Sequence, residues 1–76
     1  MRLLVVEDEK KVASFIKQGL EEEGYAVDVA LDGEKGLEMA LDRVHDLIIL
    51  DISLPKMDGL QVLKKLRQQR VNIPVL

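Results

Sequence analysis

The side chains best placed to do chemistry stand where apolar runs end. Leu3-Leu4-Val5-Val6 stops at Glu7-Asp8-Glu9, and Leu47-Ile48-Ile49-Leu50 stops at Asp51. Carboxylates serve as hard oxygen ligands and as nucleophiles that need no deprotonation at neutral pH. If the fold brings the two run ends together, Glu7, Asp8 and Asp51 converge on one crevice. Three like charges at close quarters are costly unless a cation sits among them or one acid takes up a proton. Such oxygens suit Mg²⁺, which is commonly bound by one or two carboxylates together with a substrate phosphate. The constellation therefore predicts a hard-cation site able to receive a phosphoryl group. Taken singly, each acid has a plainer explanation. Asp8 could cap a helix, Glu7 and Glu9 could complement a helix dipole, and Asp51 could be an ordinary loop acid. The case rests on the three jointly, with Asp51, carried on four consecutive aliphatic residues, as the key member.

Positioning these acids requires particular elements. Leu3–Val6 and Leu47–Leu50 are apolar without alternation, which predicts strands covered on both faces, as in a parallel sheet. Between them, Val12, Phe15, Ile16 and Leu20 recur at helical spacing, and Gly24 provides a stop. Tyr25–Ala30 is a β-branched stretch with Asp28 outward and suits a strand nearer an edge. Asp32-Gly33 is a turn, followed by a helix with Leu37, Ala40, Leu41 and Val44 inward. After Asp51, a loop containing Pro55 leads into a third helix with Leu60, Leu63 and Leu66, and Val71–Leu76 begins a fourth strand. Alternating strands and helices are βαβ units, and their crossovers are right-handed. The expected fold is an α/β parallel sheet of order 2-1-3-4, with the first helix on one face and the other two opposite. In such sheets ligands bind beyond the carboxyl ends of the strands, where the strand order reverses. That point lies between the first and third strands, where the acids are.

Composition narrows the function classes. With 76 residues, one small domain (1–76) is allowed, and there is no repeat or linker. The net charge of −3 argues against nucleic-acid binding by this segment, since affinity for a phosphate backbone comes from excess Lys and Arg. Lys64, Lys65, Arg67 and Arg70 are locally basic but carry no aromatic residue among them. Absence of Cys excludes a disulfide framework and a Cys-based zinc site. No apolar run approaches a membrane span, and the start turns acidic too early for a signal peptide, so a cytoplasmic location is expected. His45, before Asp46, lies at the end of the sheet away from the acids and is expected at the surface or half-buried. Glu21-Glu22-Glu23 reads as a solvated helix end, and Met39 and Met57 as packing residues.

At this point the residues resemble a family. Val5-Val6-Glu7-Asp8-Glu9, followed by Leu47-Ile48-Ile49-Leu50-Asp51-Ile52-Ser53-Leu54-Pro55-Lys56-Met57-Asp58-Gly59-Leu60, is similar to the receiver domain of bacterial two-component response regulators. Glu23-Gly24-Tyr25 and Asp32-Gly33-Glu34-Lys35-Gly36-Leu37 also fit, so the resemblance covers the whole chain. Within the family it is most similar to receivers of winged-helix transcription factors, with a heavy-metal-responsive branch suggested. The resemblance implies a flavodoxin-like fold and a signalling role rather than an enzyme. It implies that Asp51 accepts a phosphoryl group from a phosphohistidine on a sensor histidine kinase. Glu7, Asp8 and Asp51, with the backbone carbonyl of Ser53, would hold Mg²⁺, and DNA would be bound by an effector domain outside these residues. Pro55 and Gly59 would shape the loop beyond the acceptor, Gly59 through backbone geometry.

Other classes fit less well. A dehalogenase-type phosphatase would want a second Asp two residues beyond Asp51, where Ser53 stands. An FMN-binding module would need a hydroxyl- and glycine-rich loop at Glu7-Asp8-Glu9, and a dinucleotide fold would need Gly-x-Gly-x-x-Gly there. The remaining rival is structural. The family carries a Thr or Ser after its fourth strand and a Lys after its fifth, and the chain stops at Leu76. The expectation is a receiver truncated before the fifth strand and last helices, with weak Mg²⁺ binding and stable phosphorylation of Asp51 impaired or absent. Val71, Ile73, Val75 and Leu76 would then form an apolar edge strand that pairs with a second chain as a homodimer or higher assembly.

Overall fold

The computed structural model describes all 76 residues, and its strands and helices alternate along the chain. The order is β1 (Arg2–Val6), α1 (Lys10–Glu22), β2 (Ala26–Ala30), α2 (Gly33–Ala40), β3 (Leu47–Leu50) and α3 (Gly59–Gln68). The three strands are parallel in the order β2-β1-β3. Beyond β3 the chain returns alongside it. Ile48 N donates to Pro74 O at 3.0 Å, Leu76 N to Ile48 O at 2.9 Å and Leu50 N to Leu76 O at 2.9 Å. This is one parallel bridge, Ile48 to Val75, in the place expected for a fourth strand. The ordering 2-1-3-4 is therefore present, but the fourth member is a short bridge and not a strand over Val71–Leu76. Val71 is instead taken up in closing α3.

Central β1 explains itself energetically. Leu3, Leu4, Val5 and Val6 are essentially inaccessible to solvent, because β1 has a strand on each side and helices on both faces. Leu4 and Val6 face the α2–α3 layer and pack with Ile48, Ala40, Val62 and Leu66. Leu3 and Val5 face the other way, with Val27, Ile16 and Leu20. Burying each such side chain is worth about 1.5–3 kcal/mol. Strand β3 departs from the expectation of full burial. Only Ile48 is fully buried, while Leu47, Ile49 and Leu50 are half-buried. Leu47 and Ile49 lie on the α1 side, where α1 sits mainly over β1 and β2, whereas Leu50 lies on the opposite side and borders the groove with Val75 and Leu76.

The helices correct some inward assignments. On α1 the buried face is Ala13, with Ile16 and Leu20 partly covered, whereas Phe15 is 79% exposed and Val12 sits at the margin. On α3 the buried residues are Gly59, Val62 and Leu66, and Leu60 points to solvent. Val44 lies beyond α2 and is exposed. On α1 and α3 the apolar stripe is wider than the face that meets the sheet, whereas Val44 follows the end of its helix. Helix ends are well specified. Gly24, at φ +92°, closes α1: Gly24 N donates to Glu21 O and Tyr25 N to Leu20 O. Asp58 and Gln61 form a reciprocal capping box at the start of α3. Asp8 does not cap α1; Glu9 occupies that position, with no side-chain cap.

The far end of the sheet holds a polar cluster. His45 is buried, with Nε2 2.8 Å from Asp28 Oδ2, and Arg2 Nε donates to the same oxygen at 2.9 Å. His45 is thus more buried than expected, and Asp28 is turned into this cluster and not simply outward. No helix of the chain is long and apolar enough to cross a membrane.

Candidate functional site

The register of the sheet builds the site. Val6 is paired with Leu50 across β1 and β3, so the next residue on each chain, Glu7 and Asp51, emerge side by side. Ladder hydrogen bonds continue one step past the strands. Asp51 N donates to Val6 O at 3.1 Å, and Glu7 N donates to Ala30 O at 3.0 Å. Both acids are therefore carried on backbone that is fixed before any ligand is considered. Adjacent strands lie about 4.8 Å apart, which sets the scale of the cluster.

Glu7, Asp8 and Asp51 each offer a carboxylate oxygen, and these oxygens all lie within 4.8 Å of one another. Glu7 and Asp51 are half-buried and Asp8 is exposed, so the group is open to solvent on one side. Glu7 Oε2 also accepts from Glu9 N at 3.0 Å, and Asp51 Oδ1 accepts from Ser53 N at 3.2 Å. No Lys, Arg or His nitrogen lies within 4.0 Å of any of the three carboxylates. An all-oxygen donor set with no internal counter-charge fits a hard divalent cation. The adjacent pair Glu7-Asp8 and the distant Asp51 are thus brought together, at the crevice expected for them.

Ser53 stands in the exposed loop that follows Asp51, and its backbone amide is turned back to the Asp51 carboxylate. The loop has few anchors. Leu54 is buried in the α2–α3 core, Gly59 N donates to Ile52 O at 2.9 Å, and Met57 N to Pro55 O at 2.8 Å. Gly59 packs so closely that a Cβ there would collide with the carbonyl oxygen of Asp51 and the Cα of Ile52. This confirms a backbone role for Gly59. Lys56 occupies the left-handed region at φ 69°, and its Nζ lies 3.6 Å from Asp32 Oδ2.

Asp32 is the residue that inspection of the sequence undervalued. It is the N-cap of α2, accepting from Lys35 N at 2.8 Å, and it also faces the loop after Asp51. Its carboxyl is held below the usual range, first by the Lys35 amide and further by the Lys56 ammonium. The Asp-Gly pair signals a turn or cap, but nothing local indicates that this cap meets a loop two elements later.

In an open parallel α/β sheet the reversal point of the strand order is where ligands bind, and here it carries an acid cluster. Comparison with known proteins shows which family carries this arrangement. Residues 3–76 match the family described as the response regulator receiver domain, and the chain belongs to that family. It is 51% identical over 76 residues to the transcriptional regulatory protein DltR of Streptococcus agalactiae, covering all of this chain and 34% of that one. It is 45% identical over 75 residues to the alkaline phosphatase synthesis regulator PhoP of Bacillus subtilis, covering 99% of this chain and 31% of that protein. The chain thus spans about a third of the length of these curated relatives. Among solved structures, the receiver domain of Francisella response regulator 1452 superposes with a TM-score of 0.93 at 42% identity, over 97% of this chain and 61% of that one. TrrA of Thermotoga maritima, solved in complex with Mg²⁺ and BeF, gives 0.91 at 38% identity, over 97% and 64%. The flavodoxin-like reading of the fold stands on these superpositions.

Proposed function

We propose that this receiver accepts a phosphoryl group on Asp51 from a phosphohistidine of a sensor histidine kinase, in the cytoplasm. In this reading it acts as a signalling module and not as an enzyme. An Asp51 carboxylate oxygen would form the new O–P bond as the P–N bond to the kinase imidazole breaks. Glu7, Asp8 and Asp51, with the Ser53 carbonyl, would hold Mg²⁺, which supplies charge neutralisation and in-line positioning for the phosphoryl oxygens. Asp51 is presented rigidly by β3, and Glu7 and Asp8 by the end of β1. The phosphorylated state would regulate transcription through a DNA-binding effector domain outside these residues, in keeping with the regulators the chain resembles. The observation that carries this reading is the meeting of three carboxylates within 4.8 Å at the carboxyl ends of adjacent parallel strands.

No Lys or Arg nitrogen lies within 4.0 Å of these carboxylates, so none is already paired with the site to share the charge of a transferred phosphoryl group. These 76 residues are therefore expected to bind Mg²⁺ but to accumulate phosphoryl-Asp51 only sub-stoichiometrically. Incubation with acetyl phosphate, followed by intact mass measurement, tests both statements. A partial adduct that needs Mg²⁺ and is absent from Asp51→Asn is expected. An equal adduct on Asp51→Asn overturns the assignment of the acceptor, and a stoichiometric one overturns the impairment.

A second reading concerns assembly. Leu50, Ile52, Leu60, Leu63, Val75 and Leu76 line one apolar groove, with Ile52, Leu60 and Leu76 mostly exposed. Beside it, the Val75 backbone forms no hydrogen bond within the chain. We infer that a second copy covers this edge, giving a homodimer or higher assembly.

A further inference from the structure

The start of α2 and the loop after Asp51 touch in a way that only one residue type permits. A Cβ on Gly33 would fall on the carbonyl oxygen of Met57, with the Met57 carbonyl carbon and Cβ also inside contact distance. Gly33 N donates to Pro55 O at 3.4 Å. Between those two loop residues, Lys56 adopts φ 69°, a conformation that costs a non-glycine residue about 1–2 kcal/mol. Its ammonium leans towards Asp32, whose other carboxylate oxygen is fixed by the Lys35 amide. The loop thus rests on α2 through Pro55, Lys56 and Met57, and its other end returns to the site through the Ser53 amide on Asp51.

We propose that Gly33 and the Asp32–Lys56 contact are positioning elements for the metal site. They seat the loop of residues 52–58 on α2 so that the Ser53 backbone is held against the acid cluster. This rests on the reading of Glu7, Asp8 and Asp51 as a divalent-cation site. None of the three residues touches the cation. Gly33 acts through the carbonyls of Pro55 and Met57, and Asp32 acts through Lys56. Glycine is required at 33 for close approach, because its backbone is in an ordinary helical region and any side chain would lift the loop. Outer-shell residues that orient ligands in this way typically change metal affinity by about 10–100-fold when altered.

The experiment is titration of the full chain with Mg²⁺ by calorimetry, with amide NMR shifts of Asp51 and Ser53 read in parallel and thermal unfolding recorded without metal. Gly33→Ala is expected to weaken Mg²⁺ binding at least about tenfold and to move the Ser53 amide. Val27→Ala, a buried truncation in the cluster on the α1 side of the sheet, separate from the one that holds Leu54 of the loop, serves as the stability control and should lower the melting temperature while leaving affinity within twofold. Mg²⁺ affinity of Gly33→Ala within twofold of the unaltered chain overturns the proposal. Absence of any Mg²⁺ binding by the unaltered chain instead overturns the cation-site reading, so the two failures are distinct. If Gly33→Ala does not fold, Lys56→Met decides. Removing a positive charge near the acids would by field alone tighten Mg²⁺ binding, whereas loss of the loop contact weakens it. Tighter or unchanged binding overturns the proposal.

Discussion

At the scale of single residues, the chain separates two kinds of acid. Asp51, Glu7 and Asp8 are placed together without a paired counter-charge, as the proposed cation site requires. Asp28 is the opposite case. The Arg2 guanidinium, and then the His45 ring, hold its carboxyl below the usual range. A carboxyl lowered in the folded state contributes stability that is fully present above its unfolded value, about 3.9, and is lost as pH falls through the folded one. Urea unfolding between pH 3 and pH 6 should therefore show a decline towards the acid end that is shallower in Asp28→Asn, because the amide cannot take up the proton. Equal slopes would show that the cluster does not contribute. Both roles follow from who the neighbours are. The sequence names Asp28 and Asp51 alike as acids on or after a strand, and cannot say that one meets Arg2 and His45 while the other meets Glu7 and Asp8.

At the scale of elements, two arginines, Arg67 of α3 and Arg43 beyond α2, secure the end of the third helix. Arg67 donates to the carbonyls of Val71 and Ile73, and Arg43 to those of Gln69 and Arg70. These bonds satisfy carbonyls at and beyond the end of α3, and they complement its dipole. The closure itself is a Schellman turn, with Val71 N donating to Leu66 O and Arg70 N to Arg67 O. Arg70 holds the left-handed position of that turn at φ 62°. Glycine there would remove about 1–2 kcal/mol of steric cost and add back about 0.5–1 kcal/mol of chain entropy. Arg70→Gly should thus stabilise the chain by about 0.5–1 kcal/mol, read as a higher urea midpoint with unchanged slope. A lower midpoint would contradict this account of the turn. Helix existence was legible from apolar spacing, from the Gly24 stop and from the Asp32-Gly33 turn, whereas the Asp58–Gln61 capping box emerged only in the structure. Which apolar residues lie inward was not, because Phe15 and Leu60 satisfy the period yet face away from the sheet.

At the scale of the whole molecule, a chain this short buries only about 60% of its unfolded surface, so its stability is marginal on general grounds. The exposed groove beside Val75 and the half-buried β3 leave apolar surface for a second copy to cover. Sedimentation velocity at micromolar concentration should show a dimer or larger species. Leu60→Glu, at a position 63% exposed, should shift the population to monomer and change unfolding stability by no more than about 0.5 kcal/mol. A cooperatively folded monomer of the unaltered chain at that concentration would rule out the assembly.

The sequence by itself determined the alternation of strands and helices, the parallel order, and the candidacy of Asp51 and the Glu7-Asp8 pair. Those follow from local quantities: continuous apolar runs, helical spacing, and acids at the points where the runs stop. Tertiary structure alone decided that Val6 and Leu50 stand in register, so that the acids meet within 4.8 Å. It also decided that Asp8 is free of a capping role, that the fourth strand is a single bridge, and that Gly33 supports the loop after Asp51. Each of these depends on contacts between residues distant in the chain. Their energies come from packing and pairing across elements, and no local pattern of residues records them.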